Sequence, residues 1–405
     1  MVRPWRRCFR VAVLVLLDAL AFLPALLTAV VGRVLPKKID VGMGPEPMIN
    51  YVYHKKALEL HGYSAETFVC SVYHITDAFD IRLDLIFRPR WLTLLRFYCA
   101  FALAATRYRC LYLYFNGGPL GFTGWLWRIE PLLYRIAGVK VVVMAYGGDV
   151  QELSRSPNLL FKHAMSRDYP QHRVKRPRIA SKIDLWTQRA DHVIGGCEWV
   201  DYMYYWDTLM LAHFAIDTDK WRPEVAARAP APGPEGPLRI LHAPNHRQIK
   251  GTRYFADAVE QLKAEGLNVE LVIVEGVPNT EIRQAMASAD IVADQLVVGW
   301  YAMFALEAMA VETPVLCYLR EDLEQFYVDA GLARPGEIPI VRCSPATVKE
   351  AIRRLALDAR LRRDIGKRSR QFVIDHHSTQ HVGRVFDRIN RSLGLGGNRS
   401  QQEAH

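Results

Sequence analysis

Twice along this chain of 405 residues, short apolar runs that end in glycine, aspartate or a turn residue alternate with stretches of helical periodicity. The first series of runs covers 38–44, 67–73, 109–115, 139–146, 191–196 and 212–217, with helices expected over 50–62, 91–107 and 125–137. The second covers 238–244, 268–276, 290–296, 313–319 and 338–343, with helices expected over 252–265, 300–311 and 345–375. Runs of this kind read as buried strands, and repeated strand–helix alternation predicts parallel sheets covered by helices on both faces. Between the two series lies "RPEVAARAPAPGPEGPLR" (222–239), rich in proline, alanine and glycine and without periodicity, which reads as a linker. The expected fold class is therefore α/β, with two doubly wound, Rossmann-like domains facing each other across a cleft. Ligands are expected at the carboxyl ends of the strands. The domain boundaries that follow are 38–222 for the first domain, 223–237 for the linker and 238–393 for the second domain. The last residues, 394–405, read as a disordered tail.

Residues 1–37 stand apart. "VAVLVLLDALAFLPALLTAVVG" (11–32) is apolar except for Asp18 and Thr28, with Arg3, Arg6, Arg7 and Arg10 before it and Arg33, Lys37 and Lys38 after. Its 22 residues match the roughly 20 that one bilayer crossing needs. A cleaved signal peptide has a shorter apolar region and a less basic downstream flank. Positive charge on both sides leaves the orientation open. Pro24 is expected to kink the helix. Three readings follow: a spanning anchor, a bent segment entering and leaving on the cytoplasmic face, or a helix buried in the protein.

The seven cysteines form no Cys-x-x-Cys pair, so neither a zinc site nor a disulfide framework is suggested. A formal charge of +10 favours anionic partners. The excess is concentrated between Lys162 and Lys182, where seven basic residues face Asp168 alone, which reads either as a solvated loop or as a surface docking on anionic lipid. Nucleic acid is not an expected partner, because charge is its only support and no module with base-stacking aromatics appears.

Four stretches could carry chemistry. In "VGWYAMFALEAMAVETPV" (298–315), Glu307 shares its helix face with Met303, Phe304, Ala310 and Val311, none of them polar. An unpaired buried carboxylate costs several kcal/mol or takes up a proton, so Glu307 needs a partner, either within the protein or from a ligand. Gly299, Trp300 and Tyr301 form the loop before that helix, and the aromatics either stack on a ring of a ligand or pack. In "HAPNHRQIKGT" (242–252), a strand, a polar loop and a helix start make a place where backbone amides and the helix dipole favour an anion. There Arg247 and Lys250 add positive charge, and Thr252 is a candidate helix cap. "GMGPEP" (42–47) brings Gly44 to the end of the first strand, as a ligand approach or a plain turn. "AYGGDV" (145–150) places Asp149 at a strand end behind two glycines, as a ligand contact or a helix cap.

Together these stretches resemble the nucleotide-sugar glycosyltransferases of the GT-B fold, and among them the retaining family 4 group. "FALEAMAVETPVL" resembles the family signature whose glutamate binds the donor ribose, which implies that role for Glu307. "IKGT" resembles the lysine–glycine motif that binds the donor diphosphate, which implies that role for Lys250. "AYGGDV" is similar to the family's His-Gly-Ser-Asp-like loop, and "HFAIDTDKWRP" (213–223) to the approach to its interdomain linker. Three positions depart from the pattern. Gly299 stands where the family has a second glutamate, Asn245 where it has an arginine, leaving Arg247 as a substitute, and Tyr146 where it has a histidine. The resemblance implies Asp149, Lys250 and Glu307 as catalytic residues. It implies Gly44, Asn245, Arg247, Gly299, Trp300 and Tyr301, with Lys250 and Glu307, as donor-binding residues. The implied activity is a retaining transfer of a hexosyl or related group from a nucleotide-diphosphate sugar, with no metal and no cofactor.

The hydrophobic N-terminus, the apolar stretch 92–108, the Trp-rich 124–136 and the basic 162–182 all lie before or within the first domain, on the acceptor side. Aromatic and basic residues together suit a membrane interface. The expected acceptor is therefore lipid-linked or membrane-proximal, in glycan, polysaccharide or glycolipid synthesis. The catalytic domains are expected on the cytoplasmic side of an anionic membrane surface. Two other readings remain: a nucleotide-sugar epimerase of the same fold, and a non-catalytic nucleotide-sugar-binding subunit.

Overall fold

A computed structural model describes residues 4–73, 76–89, 92–223 and 236–396, with side chains from Ala12 onward. Two parallel sheets organise it. The first contains β1 (Ile39–Met43), β2 (Ala65–Val69), β3 (Ile81–Arg82), β4 (Tyr108–Tyr114), β5 (Lys140–Met144), β6 (His192–Gly196) and β7 (Thr208–Met210) in the order β3-β2-β1-β4-β5-β6-β7. The second contains β8 (Leu238–His242), β9 (Val269–Ile273), β10 (Ile291–Gln295), β11 (Val315–Cys317) and β12 (Val341–Arg342) in the order β12-β11-β10-β8-β9. Chain order reverses between β1 and β4 in one sheet and between β8 and β10 in the other. Such switch points open crevices at the carboxyl ends of the strands. The central strands are apolar on both faces because helices cover both; every residue of β10, including Asp294 and Gln295, is buried.

The expected α/β architecture is present, with local differences. The run 212–217 is no strand; β7 lies just before it, and the segment crosses between the lobes with one bridge, Ile216 to Ser378. The stretch 345–375 is two helices, Val348–Leu357 and Ala359–His377, because the Asp358 side chain accepts from the Leu361 amide and starts a new helix. The helix around Glu307 begins at Met303, which leaves Trp300 and Tyr301 in the loop. Most of the proposed linker, 224–235, and most of the tail, 397–405, lie outside the described residues.

The last helix, Thr379–Ser392, does not stay with the second lobe, to which the 238–393 boundary assigns it. Phe386 packs edge-to-face on His54, Tyr112 Oη donates to Asn390 Oδ1 at 3.0 Å, and Tyr63 Oη donates to Asp387 Oδ1 at 2.8 Å. Its buried stripe of Val382, Val385, Phe386 and Ile389 completes the core on one face of the first sheet, and that burial decides its place.

The basic stretch 162–182 is also not a solvated loop. It falls in helices Leu159–Asp168 and His172–Arg189. Three of its cations are used internally: Arg176 pairs with Glu152, Arg178 donates to the carbonyls of Gly121 and Thr123, and buried Lys182 donates to those of Asn116 and Gly121.

Candidate donor site

The loops after β8, β9 and β10 converge on one pocket of about 780 Å³, counting its open mouth. Asn245, Lys250, Asn279 and Glu307 supply its polar groups, while Val274, Ile282, Met303 and Phe304 supply apolar wall. Ile49, from the first lobe, completes the lining, so the pocket lies where the lobes face each other. The lone acid of the apolar helix and the lysine after the neighbouring strand thus open onto the same space.

Glu307 is 4 % exposed, and its Oε1 accepts from Asn279 Nδ2 at 2.9 Å. Burial pushes its carboxyl up to about 7, opposed by the Asn279 hydrogen bond and by the charge of Lys220. No arginine or lysine forms an ion pair with it among the described residues. Asn279 opens the Asn279–Ala287 helix. Neither that helix nor that partner is among the sequence expectations, although Pro278 just before an amphipathic stretch is a helix-start signal.

Lys250 Nζ donates to Asp294 Oδ1 at 2.8 Å, and the Asp294 side chain is fully buried. This pair was not foreseen. Like Glu307 in its helix, Asp294 is the one acid of the buried strand "IVADQ", and a carboxylate there needs a partner. Lys250 is in effect the counter-ion of a core acid, with the remaining ammonium protons available to the pocket it lines.

Other expected residues do not meet there. Arg247 turns outward and makes a two-pronged pair with Glu275, at 2.9 and 2.6 Å, so it does not replace the missing arginine inside the pocket. Thr252 does not cap its helix; its hydroxyl bonds His242 Nε2 at 2.9 Å, and burial holds His242 down at about 4. The backbone amide of Ile249, in the loop expected to receive an anion, already donates to Asp168 Oδ2 at 3.0 Å. Gly44 packs against Phe68 at the end of β1 and lines no part of the pocket.

Gly299, Trp300 and Tyr301 also fall outside the pocket lining. Gly299 has φ +104°, and a Cβ there would lie 2.7 Å from Arg320 Cδ, so a glutamate would be strained by the backbone and would have to displace the Arg320 side chain. Trp300 is buried, stacks on Tyr301 and donates from Nε1 to the carbonyl of Leu211 at 2.9 Å; Tyr301 Oη bonds His377 Nε2 at 2.9 Å. These rings pack the junction between the lobes rather than presenting a stacking platform. Arg320, paired with Asp201 and Asp322, clamps the same junction.

Asp149 is fully buried in the first lobe, at the carboxyl ends of β4 and β5. Its carboxylate accepts from the amides of Phe115, Tyr146 and Gly147 at 2.9, 3.0 and 2.9 Å, tying the turns after β4 and β5 together. Burial outweighs those bonds and raises it to about 6. Glu198, which no motif flagged, faces Lys250 and Arg320 from the first lobe, and burial raises it to about 7.

Residues 243–386 match the family described as Glycosyl transferase-like. A comparison with curated proteins gives no match. Sucrose-phosphate synthase from Thermosynechococcus elongatus superposes with a TM-score of 0.56 at 14% identity, over 88% of this chain and 99% of that one. This is the GT-B fold of the glycosyltransferases. HepE of Anabaena, solved in complex with UDP-glucose, aligns with a TM-score of 0.56 at 11% identity, covering 87% of this chain and 99% of its own. WaaG, a glycosyltransferase involved in lipopolysaccharide biosynthesis, aligns with a TM-score of 0.51 at 12% identity, covering 87% and 99%. In this GT-B chain the matched family segment contains the whole polar lining of the pocket.

Proposed function

We propose that the protein is a glycosyltransferase that binds a nucleotide-diphosphate sugar in the pocket beside β8 and β10. One observation carries this reading: Glu307 and Lys250 line the same pocket, at the switch point where the fold presents ligands. In the proposed complex Glu307 accepts paired ribose hydroxyls, with Asn279 fixing its orientation. Lys250 and Asn245 hold the diphosphate. A positioned ammonium stabilises the departing nucleoside diphosphate in a site partly shielded from water, without requiring a metal. Retention of configuration follows if a donor phosphate oxygen assists the attacking hydroxyl, as the family resemblance implies. The binding of UDP-glucose by HepE supports a nucleotide-sugar donor.

The acceptor is proposed to be lipid-linked or membrane-proximal, and the protein membrane-associated with both lobes on the cytoplasmic side. The support is the 23-residue apolar segment Ala12–Val34, long and apolar enough to cross a bilayer, attached to the acceptor-side lobe. A second reading, nucleotide-sugar binding without transfer, is favoured by Gly299, since the glutamate usual there is absent and would be strained against Arg320.

Incubating the purified protein with labelled UDP- and GDP-sugars and a membrane lipid extract separates the readings. Label moving into lipid is the expected result. Retention of label on unchanged nucleotide sugar supports the binding subunit, and interconversion of free sugars would overturn transfer altogether.

A further inference from the structure

The helix Pro4–Val34 carries two opposite stripes. On one, Asp18, Ala25 and Ala29 are buried. Opposite them Leu16, Leu20, Leu23, Leu27, Val31 and Val34 are all at least 47 % exposed, at spacings of three and four that put them on one line. The buried stripe is fastened along its length. Asp18 Oδ1 accepts from Tyr98 Oη at 2.6 Å, and its Oδ2 accepts from the amides of Leu126, at 2.9 Å, and Trp125. Near one end the helix backbone at Leu14 approaches Gly124, and near the other Arg33 lies over Gly138 and Gly32 against the carbonyl of Ala105. Between them Phe22 meets Trp125, with ring centroids 5.8 Å apart.

At about 1.5 Å per residue, the contacts from Leu14 to Arg33 run for roughly 28 Å, nearly the whole thickness of a bilayer's hydrocarbon. A spanning helix would place Asp18 deep in the membrane. It would take with it the amides of residues 125–126 and the Tyr98 hydroxyl, and so the edge of the first lobe, or else leave an unpaired acid in hydrocarbon at a cost of several kcal/mol.

We infer that this helix lies in the plane of the membrane, docked by Asp18 on the first lobe and presenting its leucine–valine stripe sideways to lipid. This rests on the membrane-associated reading above and replaces both its spanning and its bent form. The occupant of the stripe is a bilayer with anionic headgroups. The stripe is apolar along its whole length, and cations flank it at both ends: Arg3, Arg6, Arg7 and Arg10 before, Arg33, Lys37 and Lys38 after. A helix that is apolar all round needs cover on both faces, and the lobe covers only one. In this pose the acceptor-side lobe lies flat on the surface from which a lipid-linked acceptor would be taken.

Two measurements on the full chain test this. Tags are placed at both ends, and protease is added to sealed inside-out membrane vesicles of a bacterial expression host. The inference expects both tags to be cleaved without detergent; an N-terminal tag protected until detergent is added would mean that the helix spans, overturning the inference but not membrane association. Separately, Leu20→Glu/Leu27→Glu is compared with the unaltered protein on vesicles of 70% phosphatidylcholine and 30% phosphatidylglycerol. Binding is expected to fall at least tenfold while the thermal midpoint holds. Unchanged binding, or a dimer that the variant splits, would assign the stripe another role or a second copy as occupant. Absence of vesicle binding by the unaltered chain would overturn the membrane reading as well.

Discussion

Glu307 and Asp149 are both buried carboxylates at the carboxyl ends of parallel strands, one in each lobe, yet their surroundings differ. Asp149 takes three backbone amides and borders no pocket among those described, whereas Glu307 has one amide side chain and open space beside it. Sequence alone gives them equal standing, since each is an acid next to glycine or apolar residues. Saturation separates them: an acid whose acceptors are filled holds a fold together, and one with unused acceptors facing a cavity can hold a ligand.

The comparison breaks most visibly in stability. Asp149→Ala strands three buried amides and should cost about 3–5 kcal/mol in denaturant unfolding. Nucleotide affinity measured under native conditions should move by less than about twofold, and a large loss of affinity with unchanged stability would reverse the two roles. Lys250→Ala should cost about 3 kcal/mol, because it leaves Asp294 charged, buried and alone. Adding Asp294→Asn should recover most of that stability without recovering transfer. Recovery of both would make Lys250 merely a structural counter-ion.

A smaller effect concerns pH. The Glu307 carboxyl keeps its proton up to about 7 in the fold, against about 4.3 in an unfolded chain. Between those values the native state binds the extra proton, so this group's contribution to stability is lost as pH rises through that window. Glu307→Gln should therefore become more stable relative to the unaltered protein from pH 5 to pH 8 in paired unfolding curves. Nucleotide affinity of the unaltered protein should rise over the same range, as the carboxylate forms. Least of all, Asn279→Ala removes one hydrogen bond to a charged group and should weaken nucleotide binding by about 1.5–3 kcal/mol in a titration.

Much of this was legible in the sequence because it depends on period and punctuation. Two series of buried strands gave the two sheets, and the lone acid at 307 with the lysine at 250 marked the pocket. What was not legible depends on three-dimensional neighbours. Nothing local says that Arg247 prefers Glu275, that Trp300 reaches Leu211 across the lobes, or that Arg320 fills the space over Gly299. The last helix was misassigned for the same reason: its amphipathic period shows that it packs, not on which sheet. Asp294 was the exception, a signal of the same kind as Glu307 that was available and unused.

The joint grip of Glu307 and Lys250 on one nucleotide is tested most directly by calorimetric titration of UDP, GDP and ADP into three proteins. These are the unaltered chain, Glu307→Ala, and Lys250→Ala/Asp294→Asn, each first shown to be folded. One nucleotide should bind the unaltered protein, and each variant should lose at least tenfold in affinity for it. Equal affinity in all three would mean that the pocket between β8 and β10 is not where the donor is held.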